Sequence, residues 1–310
     1  MTPKISVIMS VYNGARYLSE AIESVLTQTY KNFEFVIVND GSIDNTSKII
    51  QTYADNRIKV INNSQNLGLT KSLNIGIYFS AGDFIARQDA DDRSLPERLE
   101  HQLAFLDSHP SIGLVGSSAL WIDGQGKKIQ EWHPLCGQQE IQQHLLSTIP
   151  FLHGTFMFRR ECLNDVGGGY DESKPVAQDC DLLMRIAERW ELDNLSEVLY
   201  IHRRHPDTVT ERRREDQDYF LAKAREEAVR RRLNYGFALI SLKRKKLPEW
   251  VRRAKRRWLA ERFMWWSASA RMFSKTTALQ FLLVSLIIDP TSLSTWSYMS
   301  EILSRKLHLD

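Results

Sequence analysis

The sequence has little cysteine, no internal repeat and no low-complexity linker. Its three cysteines, Cys136, Cys162 and Cys180, follow no spacing that is typical of metal ligands. An odd number of scattered cysteines does not build a disulfide framework, so we expect a reducing compartment. The first residues contain no basic segment followed by a long apolar stretch, so we expect no secretory signal peptide there.

The sequence also lacks an apolar run long enough to cross a bilayer. A C-terminal stretch, 278–288, is apolar, but it is much shorter than the ~20 residues that a spanning helix needs. The chain has 310 residues, of which 43% are hydrophobic, and this is enough to bury a full core. The length predicts one large domain with an appendage, or two domains.

Patterns of buried strands alternate with patterns of helices through the first part of the chain. Strands are predicted at 5–11, 33–38, 57–61, 83–86 and 112–116. Helices are predicted between them, at 17–26, 45–53, 69–79 and 95–106. This alternation predicts a largely parallel sheet that is covered by helices on both faces. The middle of the chain is less regular, with one strand predicted at 151–159 and one at 198–201.

Three polar segments follow the predicted strands: 10–13, 39–42 and 89–92. Because open α/β sheets bind ligands at the carboxyl ends of their strands, we expect these segments to converge on one site. The third segment, Asp89-Ala90-Asp91-Asp92, places three carboxylates in four residues. Such a cluster needs a compensating charge, usually a divalent cation shared with substrate phosphates. The pattern therefore indicates metal-dependent chemistry on a phosphorylated substrate.

Six segments, taken in order, resemble the motifs of the family 2 glycosyltransferases. They lie at 6–13, 36–42, 66–77, 89–96, 168–172 and 178–182. The resemblance covers about residues 3–205 and implies the A-type glycosyltransferase fold: a Rossmann-like α/β architecture with a mostly parallel sheet flanked by helices. It divides the chain into a catalytic domain, 1–208, and a helical, basic C-terminal region, 209–310. Within the catalytic domain, 1–110 is expected to bind the nucleotide-sugar and 111–208 the acceptor.

The resemblance implies an inverting, metal-dependent transfer of a sugar from a UDP- or dTDP-sugar to a hydroxyl of a glycan or lipid-linked glycan. A bound Mn or Mg ion would offset the charge that develops on the departing diphosphate. Asp91 is expected to contact the metal directly. Asp89 is expected to contact it through water or to hold the ribose, with Ala90 lining the same pocket. Asp92 has either a direct role or a role as helix cap or salt-bridge partner.

Further residues are assigned to the donor by the same resemblance. The base pocket is expected to be lined by Ser10, Val11, Tyr12 and Asn13. Tyr12 either stacks on the base or packs in the core. Asp40 resembles the residue that recognises the base: a carboxylate accepts the imide N–H of uracil or thymine, which cytosine and adenine lack.

Three basic side chains are expected near the diphosphate, and for each the alternative is a solvent-exposed position without a ligand. Lys71 lies either near the nucleotide or on a solvated helix face. Arg204 can bind phosphate oxygens, and His205 can bind phosphate or act as a third metal ligand. The alternative for both is a solvated basic loop.

Asp179 resembles the catalytic base of the family, which takes the proton of the acceptor hydroxyl as it attacks the anomeric carbon. Asp181 is expected to be structural, near the start of a helix. The family usually has Glu-Asp where this chain has Gln178-Asp179. This departure leaves open a protein that binds nucleotide-sugars or acts as a scaffold without catalysis. A nucleotidyltransferase would need a Gly-rich basic loop after the first strand, and 12–16 is a poor version of one.

Charge is distributed unevenly along the chain. Residues 1–200 contain 17 Lys and Arg against 26 Asp and Glu, whereas residues 201–310 contain 24 against 12. Within 243–275 the basic residues alternate with aromatic ones: Trp250, Trp258, Phe263, Trp265, Trp266 and Phe273. One interpretation is a helical surface that attaches the protein to the inner face of the cytoplasmic membrane. The other is packing on the catalytic domain or on a second subunit. Without a nucleic-acid-binding motif, no nucleic-acid partner is expected, and the location is cytoplasmic.

Overall fold

The computed structural model describes residues 3–206, 208, 212–241, 249–270, 274–289 and 293–304. Side chains are described throughout these ranges except at 235–241, 249–258, 275, 293 and 301–304. The chain forms two compact units. The first contains residues 1–137 and 151–224, and the second contains residues 138–150 and 225–310. The predicted boundary at residue 208 lies inside the first unit, so the functional division of the chain stays a prediction.

The first unit contains a nine-stranded sheet. Its strands are β1 Ile5–Val11, β2 Phe33–Asn39, β3 Ile58–Asn62, β4 Phe84–Arg87, β5 Arg93–Ser94, β6 Ile112–Ile122, β7 Lys128–Trp132, β8 Met157–Arg159 and β9 Glu191–Arg203. The order across the sheet is β3-β2-β1-β4-β8-β6-β9-β5, and β7 pairs with β6. Strands β1 to β4 pair in parallel, as predicted. Their carboxyl ends therefore meet at one edge of the sheet.

Helices cover this sheet because each presents an apolar stripe. They are α1 Leu18–Leu26, α2 Thr46–Gln51, α3 Leu69–Tyr78, α4 Arg98–Ser108, α6 Glu161–Asp165 and α7 Gln178–Ile186. In α1, Leu18, Ile22 and Val25 recur at helical spacing, and all three are buried against β1 and β2. Both faces of β2 are buried, as expected for a central parallel strand. The α/β fold class predicted from the sequence is confirmed.

The middle of the sheet differs from the sequence prediction. The segment predicted as a strand at 151–159 forms a short 3-10 helix, His153–Thr155, followed by the three-residue strand β8. Strand β8 runs antiparallel to both β4 and β6. Strand β9 begins at Glu191, seven residues before the predicted start, because the long strand β6 pairs with it in parallel. Tertiary pairing therefore overrides the weak local pattern in this part of the chain.

The second unit is helical where it is described. It contains α5 Gln138–His144, α9 Glu249–Ala270, α10 Lys275–Ile288 and α11 Leu293–Ser304, and the boundary at residue 224 lies within α8 Arg214–Ser241. Phe263 and Trp266 are buried in a cluster with Phe281 and Val284. The indole nitrogen of Trp266 donates to Gln142 Oε1 over 2.8 Å.

These contacts correct part of the membrane prediction, since Phe263 and Trp266 are core residues and do not face a lipid surface. The basic residues at 243–248 lie outside the described residues. At 249–258 only the backbone is described. No helix in the described part of the chain is both long and apolar enough to span a membrane.

Candidate active site

The loops that follow β1 and β2 are joined by side-chain hydrogen bonds. The amide nitrogen of Asn13 donates to Ser42 Oγ over 3.0 Å, and Asn13 Oδ1 accepts from the amide of Ile43 over 2.9 Å. Asn13 has a φ of 51°, a left-handed conformation that asparagine adopts more readily than most residues. The segment predicted to line the base pocket is therefore fixed at the sheet edge. In it, Ser10 is partly buried and Val11 is buried.

Asp40 lies directly after β2 and is only 1% exposed. Its carboxylate accepts three hydrogen bonds of 2.8 to 2.9 Å, from Asn63 Nδ2 and from the amides of Leu67 and Gly68. Asp40 therefore holds the loop that leads into α3. A carboxylate has about four acceptor positions, and three of those of Asp40 are occupied by these donors. Recognition of the base by Asp40 stays a prediction.

Exposed side chains surround this part of the edge. Tyr12 is 48% exposed, which excludes the alternative that it packs in the core. Ile43 and Leu67 are also exposed, although the sequence analysis did not single them out. Lys71 is exposed in the first turn of α3. Exposed apolar side chains on three connected loops provide surface on which a planar ring can pack.

The acidic segment follows β4, and its carboxylates have different partners. Asp89 forms an ion pair with the buried guanidinium of Arg87. Asp91 Oδ2 lies 2.9 Å from His205 Nε2, so the structure brings together two of the predicted metal ligands. Asp89, the third candidate, is paired with Arg87 instead. Ala90 is partly buried and packs against the hydrophobic core.

Asp92 is a buried salt-bridge partner and not a helix cap. Its Oδ1 accepts from the amide of Arg203 over 2.7 Å, and its Oδ2 lies 3.1 Å from His202 Nδ1. Burial raises the pKa of Asp92 to about 6. Burial of the His202 ring opposes its protonation, but the facing Asp92 carboxylate raises the pKa of His202 overall. The nearest helix, α4, begins only at Arg98.

Arg203, at the end of β9, connects the acidic segment to α1. Its Nε donates to the carbonyl oxygen of Asp91 over 3.0 Å, and its guanidinium donates to Glu20 Oε2 over 2.8 Å. The same guanidinium lies 4.3 Å from the centre of the Tyr17 ring. The sequence pattern alone does not reveal the role of Arg203, because its partners are distant in sequence. Arg204 is exposed, and its guanidinium lies 5.1 Å from the Trp121 ring.

Asp179, the predicted base, is the second residue of α7. It is partly buried, and burial raises the pKa of Asp179, although hydrogen bonds from Cys180 and, to a smaller extent, the positive charge of Arg87 oppose the rise. Tyr170 precedes this helix and is buried, and its hydroxyl lies 2.8 Å from His153 Nε2. Burial lowers the pKa of His153 to about 3, so its ring is neutral.

Asp181 has the structural role that was predicted for it. It is buried, and its Oδ2 accepts from Arg185 Nε over 2.7 Å. Its Oδ1 lies 3.6 Å from Lys174 Nζ. Asp181 thus forms buried ion pairs with Arg185 and Lys174 at the start of α7.

A mostly parallel sheet edge with a carboxylate–imidazole pair, together with a partly buried aspartate at the start of a helix, agrees with the A-type glycosyltransferase expected from the sequence. Comparisons with known proteins agree. Residues 6–167 match the protein family described as "Glycosyl transferase family 2". EpsE of Bacillus subtilis (strain 168), whose description places it among the glycosyltransferases, is 39% identical over 215 residues, which are 68% of this chain and 76% of EpsE. The chain therefore belongs to glycosyl transferase family 2, and it is a glycosyltransferase.

The chain is also similar to a second glycosyltransferase and to a solved structure. The amylovoran biosynthesis glycosyltransferase AmsE of Erwinia amylovora is 32% identical over 213 residues, 67% of this chain and 79% of AmsE. Among solved structures, S. aureus TarS 1–349 in complex with UDP matches with a TM-score of 0.60 and 21% identity. The match covers 96% of this chain and 92% of that one. At this identity the likeness shows the fold alone.

Proposed function

We propose that this chain is an inverting, metal-dependent glycosyltransferase that moves a sugar from a UDP- or dTDP-sugar to a hydroxyl of a growing bacterial surface glycan. The observation that carries the proposal is the pair formed by Asp91 and His205 at the sheet edge. The loops with Tyr12 and Asp40 end at the same edge. The name of AmsE, an enzyme of amylovoran biosynthesis, supports a polysaccharide acceptor.

The Asp91–His205 pair is suited to a divalent cation. One carboxylate oxygen and one imidazole nitrogen lie 2.9 Å apart, with no Lys or Arg side chain paired to Asp91 in the described contacts. A mixed oxygen and nitrogen donor set favours Mn over Mg, which prefers oxygen. When bound there, a cation would offset the charge of the departing diphosphate. Asp89 is already neutralised by Arg87 and would serve the ribose or a metal-bound water.

The base and the diphosphate would be held by the groups around this edge. The half-exposed ring of Tyr12 offers a stacking surface, and the carboxylate of Asp40 suits an imide N–H. Lys71 and Arg204 are exposed cations on loops and helix ends, where they can reach phosphate oxygens. Together these groups favour a uridine or thymidine diphosphate.

Asp179 would act as the general base for the acceptor hydroxyl. A base must be deprotonated to accept a proton, and burial raises the pKa of Asp179. The rate should therefore fall as the pH drops through a value above the ordinary range of an aspartate. Below that value the protonated Asp179 cannot accept the proton.

The alternative is a protein that binds nucleotide-sugars without catalysis, and it rests on Gln178. Measuring turnover tests it. We expect wild-type protein with Mn to release UDP slowly from at least one of a panel of UDP-sugars. We expect Asp91→Asn to abolish this release and Asp179→Asn to abolish transfer while leaving UDP binding within about twofold of wild type. Asp107→Asn, at an exposed aspartate of α4, is the matched control and should change neither.

The possible results separate the two functions. A protein that binds UDP with Mn but turns over no UDP-sugar and no dTDP-sugar would be a binding member of the fold. Full transfer activity in Asp179→Asn would show that another group is the base.

A further inference from the structure

Gln88 is a fully buried glutamine that lies between β4 and the acidic segment. Its side-chain nitrogen donates to the carbonyl oxygen of Asp89 over 3.0 Å and to that of Asp92 over 3.1 Å. An amide NH2 group has two hydrogens, and these two bonds use both of them. The side chain of Gln88 therefore joins the first and the last residue of the acidic segment from inside the protein.

The other end of the Gln88 amide is fixed by two donors. Its Oε1 accepts from the hydroxyl of Ser94 in β5 over 2.6 Å and from the guanidinium of Arg98 in α4 over 3.4 Å. Because a guanidinium only donates and a backbone carbonyl only accepts, these partners determine which end of the amide carries the oxygen. Ser94 and Arg98 are both buried, so turning the amide over would leave buried donors and carbonyls unpaired.

The acidic segment forms a turn, and Asp91 lies inside it. The amide nitrogen of Asp92 donates to the carbonyl oxygen of Asp89 over 3.4 Å, which closes the turn. The amide nitrogen of Asp89 donates to the hydroxyl of Tyr200 in β9 over 3.2 Å. Since Gln88 bonds to the carbonyls at both ends of this turn, the direction of the Asp91 carboxylate depends on the buried amide.

We propose that Gln88 is a positioning residue that fixes the acidic turn, so that Asp91 is held in place for a divalent cation before the cation binds. This inference rests on the proposed metal-dependent function. Groups that orient metal ligands without contacting the metal contribute strongly to its affinity, and their loss costs ~10–100-fold. Gln88 acts in this way through the backbone of the turn, and not through contact with the cation or the substrate.

A matched pair of glutamines separates this role from general stability. Gln88→Met removes the amide but keeps a side chain of similar length. Gln102→Met is the control, because Gln102 in α4 is also 0% exposed and its Nε2 also donates to two backbone carbonyls, those of Val115 and Thr155. Its Oε1 accepts from Arg98, as that of Gln88 does. The two substitutions remove similar sets of bonds, and none of these bonds of Gln102 reaches the acidic turn.

The affinity for Mn is measured from the EPR signal of the free ion, at a fixed excess of the nucleoside diphosphate, UDP or dTDP, that wild type binds. The same solution without protein gives the background. We expect Gln88→Met to bind Mn about tenfold more weakly than wild type, and Gln102→Met to bind it within about twofold of wild type. Urea unfolding without metal should show that both substitutions lower the stability, because both leave buried carbonyls without donors.

A second variant decides the outcome if Gln88→Met does not fold. Ser94→Ala removes the hydroxyl that donates to Gln88 Oε1 and leaves Gln88 itself in place. We expect the affinity of this variant for Mn to fall by about threefold, because the amide keeps Arg98 as a donor but loses its shorter bond.

The proposal is wrong if Gln88→Met binds Mn as tightly as wild type, or if Gln102→Met loses as much affinity for Mn as Gln88→Met does. It is also wrong if Gln88→Met does not fold and Ser94→Ala binds Mn as wild type does. If wild type itself binds Mn with neither UDP nor dTDP, the proposed metal-dependent function fails, and that result is distinct from a loss confined to the variants.

Discussion

The carboxylates at the candidate active site have different partners, and the partners decide what each is free to do. Asp40 accepts from three nitrogen donors, so most of its acceptor positions stabilise the loop before α3. Asp92 is enclosed by Arg203 and His202. Asp91, in contrast, contacts an imidazole through a single oxygen and remains partly exposed. Of these three aspartates, Asp91 is therefore the one best placed to bind a cation.

At the residue scale we predict that Asp40→Asn destabilises the protein. The amide has one acceptor oxygen in place of two, and its NH2 group would face either the amide of Leu67, which donates to Oδ1, or the amide of Gly68, which donates to Oδ2. We expect the free energy of unfolding in urea to fall by about 2 kcal/mol. Asp107→Asn, at an exposed position, should change it by less than about 0.5 kcal/mol.

The same variant tests the second role predicted for Asp40. If Asp40→Asn were as stable as wild type but changed the preference between UDP and CDP, base recognition would be its main role. Thermal shifts with each nucleotide measure that preference, because a ligand that binds the folded state raises its stability.

At the scale of elements, α7 is held in place by buried ion pairs at its start. Lys174 is 2% exposed and contacts both Asp171 and Asp181. Although burial opposes ionisation, hydrogen bonds from Lys174 and Ser173 lower the pKa of Asp171 to about 2. The hydroxyl of Thr70 in α3 donates to the carbonyl of Lys174 over 2.8 Å. The position of Asp179 thus depends on contacts outside its own helix.

We predict that Lys174→Met lowers the free energy of unfolding by about 3 kcal/mol, because it leaves the buried carboxylate of Asp181 without one of its cations. Lys128 forms an i,i+3 pair with Glu131 that matches the spacing of Lys174 and Asp171 but is exposed. Lys128→Met should therefore cost less than about 0.5 kcal/mol. Chemical unfolding at pH 7 measures both.

The stability difference between wild type and Lys174→Met should depend on pH in a definite direction. Because the pKa of Asp171 is lowered on folding, its pair stabilises the protein above the pKa of the unfolded state, about 4. That stabilisation is lost as the pH falls from about 4 to 2. The gap between wild type and Lys174→Met should narrow over this window, and an unchanged gap would contradict the assignment.

At the scale of the whole molecule, the chain forms two units, and its net charge is negative over residues 1–200 and positive over residues 201–310. The second unit takes in the short segment 138–150 from the middle of the sequence. Ser269 Oγ donates to the carbonyls of Gln142 and Gln143, which explains why this segment groups with α9. The excess of basic residues falls in the last third of the chain.

We predict that this basic region binds anionic membranes through the residues at 243–257. Vesicles with phosphatidylserine should sediment the protein at low salt, and binding should weaken as salt rises, because each basic residue contributes about 1 kcal/mol near such a surface. A variant with Lys243, Arg244, Lys245 and Lys246 changed to Gln should bind less. Equal recovery with neutral and anionic vesicles would favour the other interpretation, packing on protein.

The sequence by itself determined the strand–helix alternation of the first half, the edge at which the polar loops converge, and the family. These features are local: periodicity in 5–11 and 18–26 follows from which side chains must be buried. Only the tertiary structure decided the partners of the carboxylates, since Arg203, His202 and His205 lie more than 100 residues from the aspartates they contact. It also decided the antiparallel strand β8, because three residues carry too little pattern to specify a pairing.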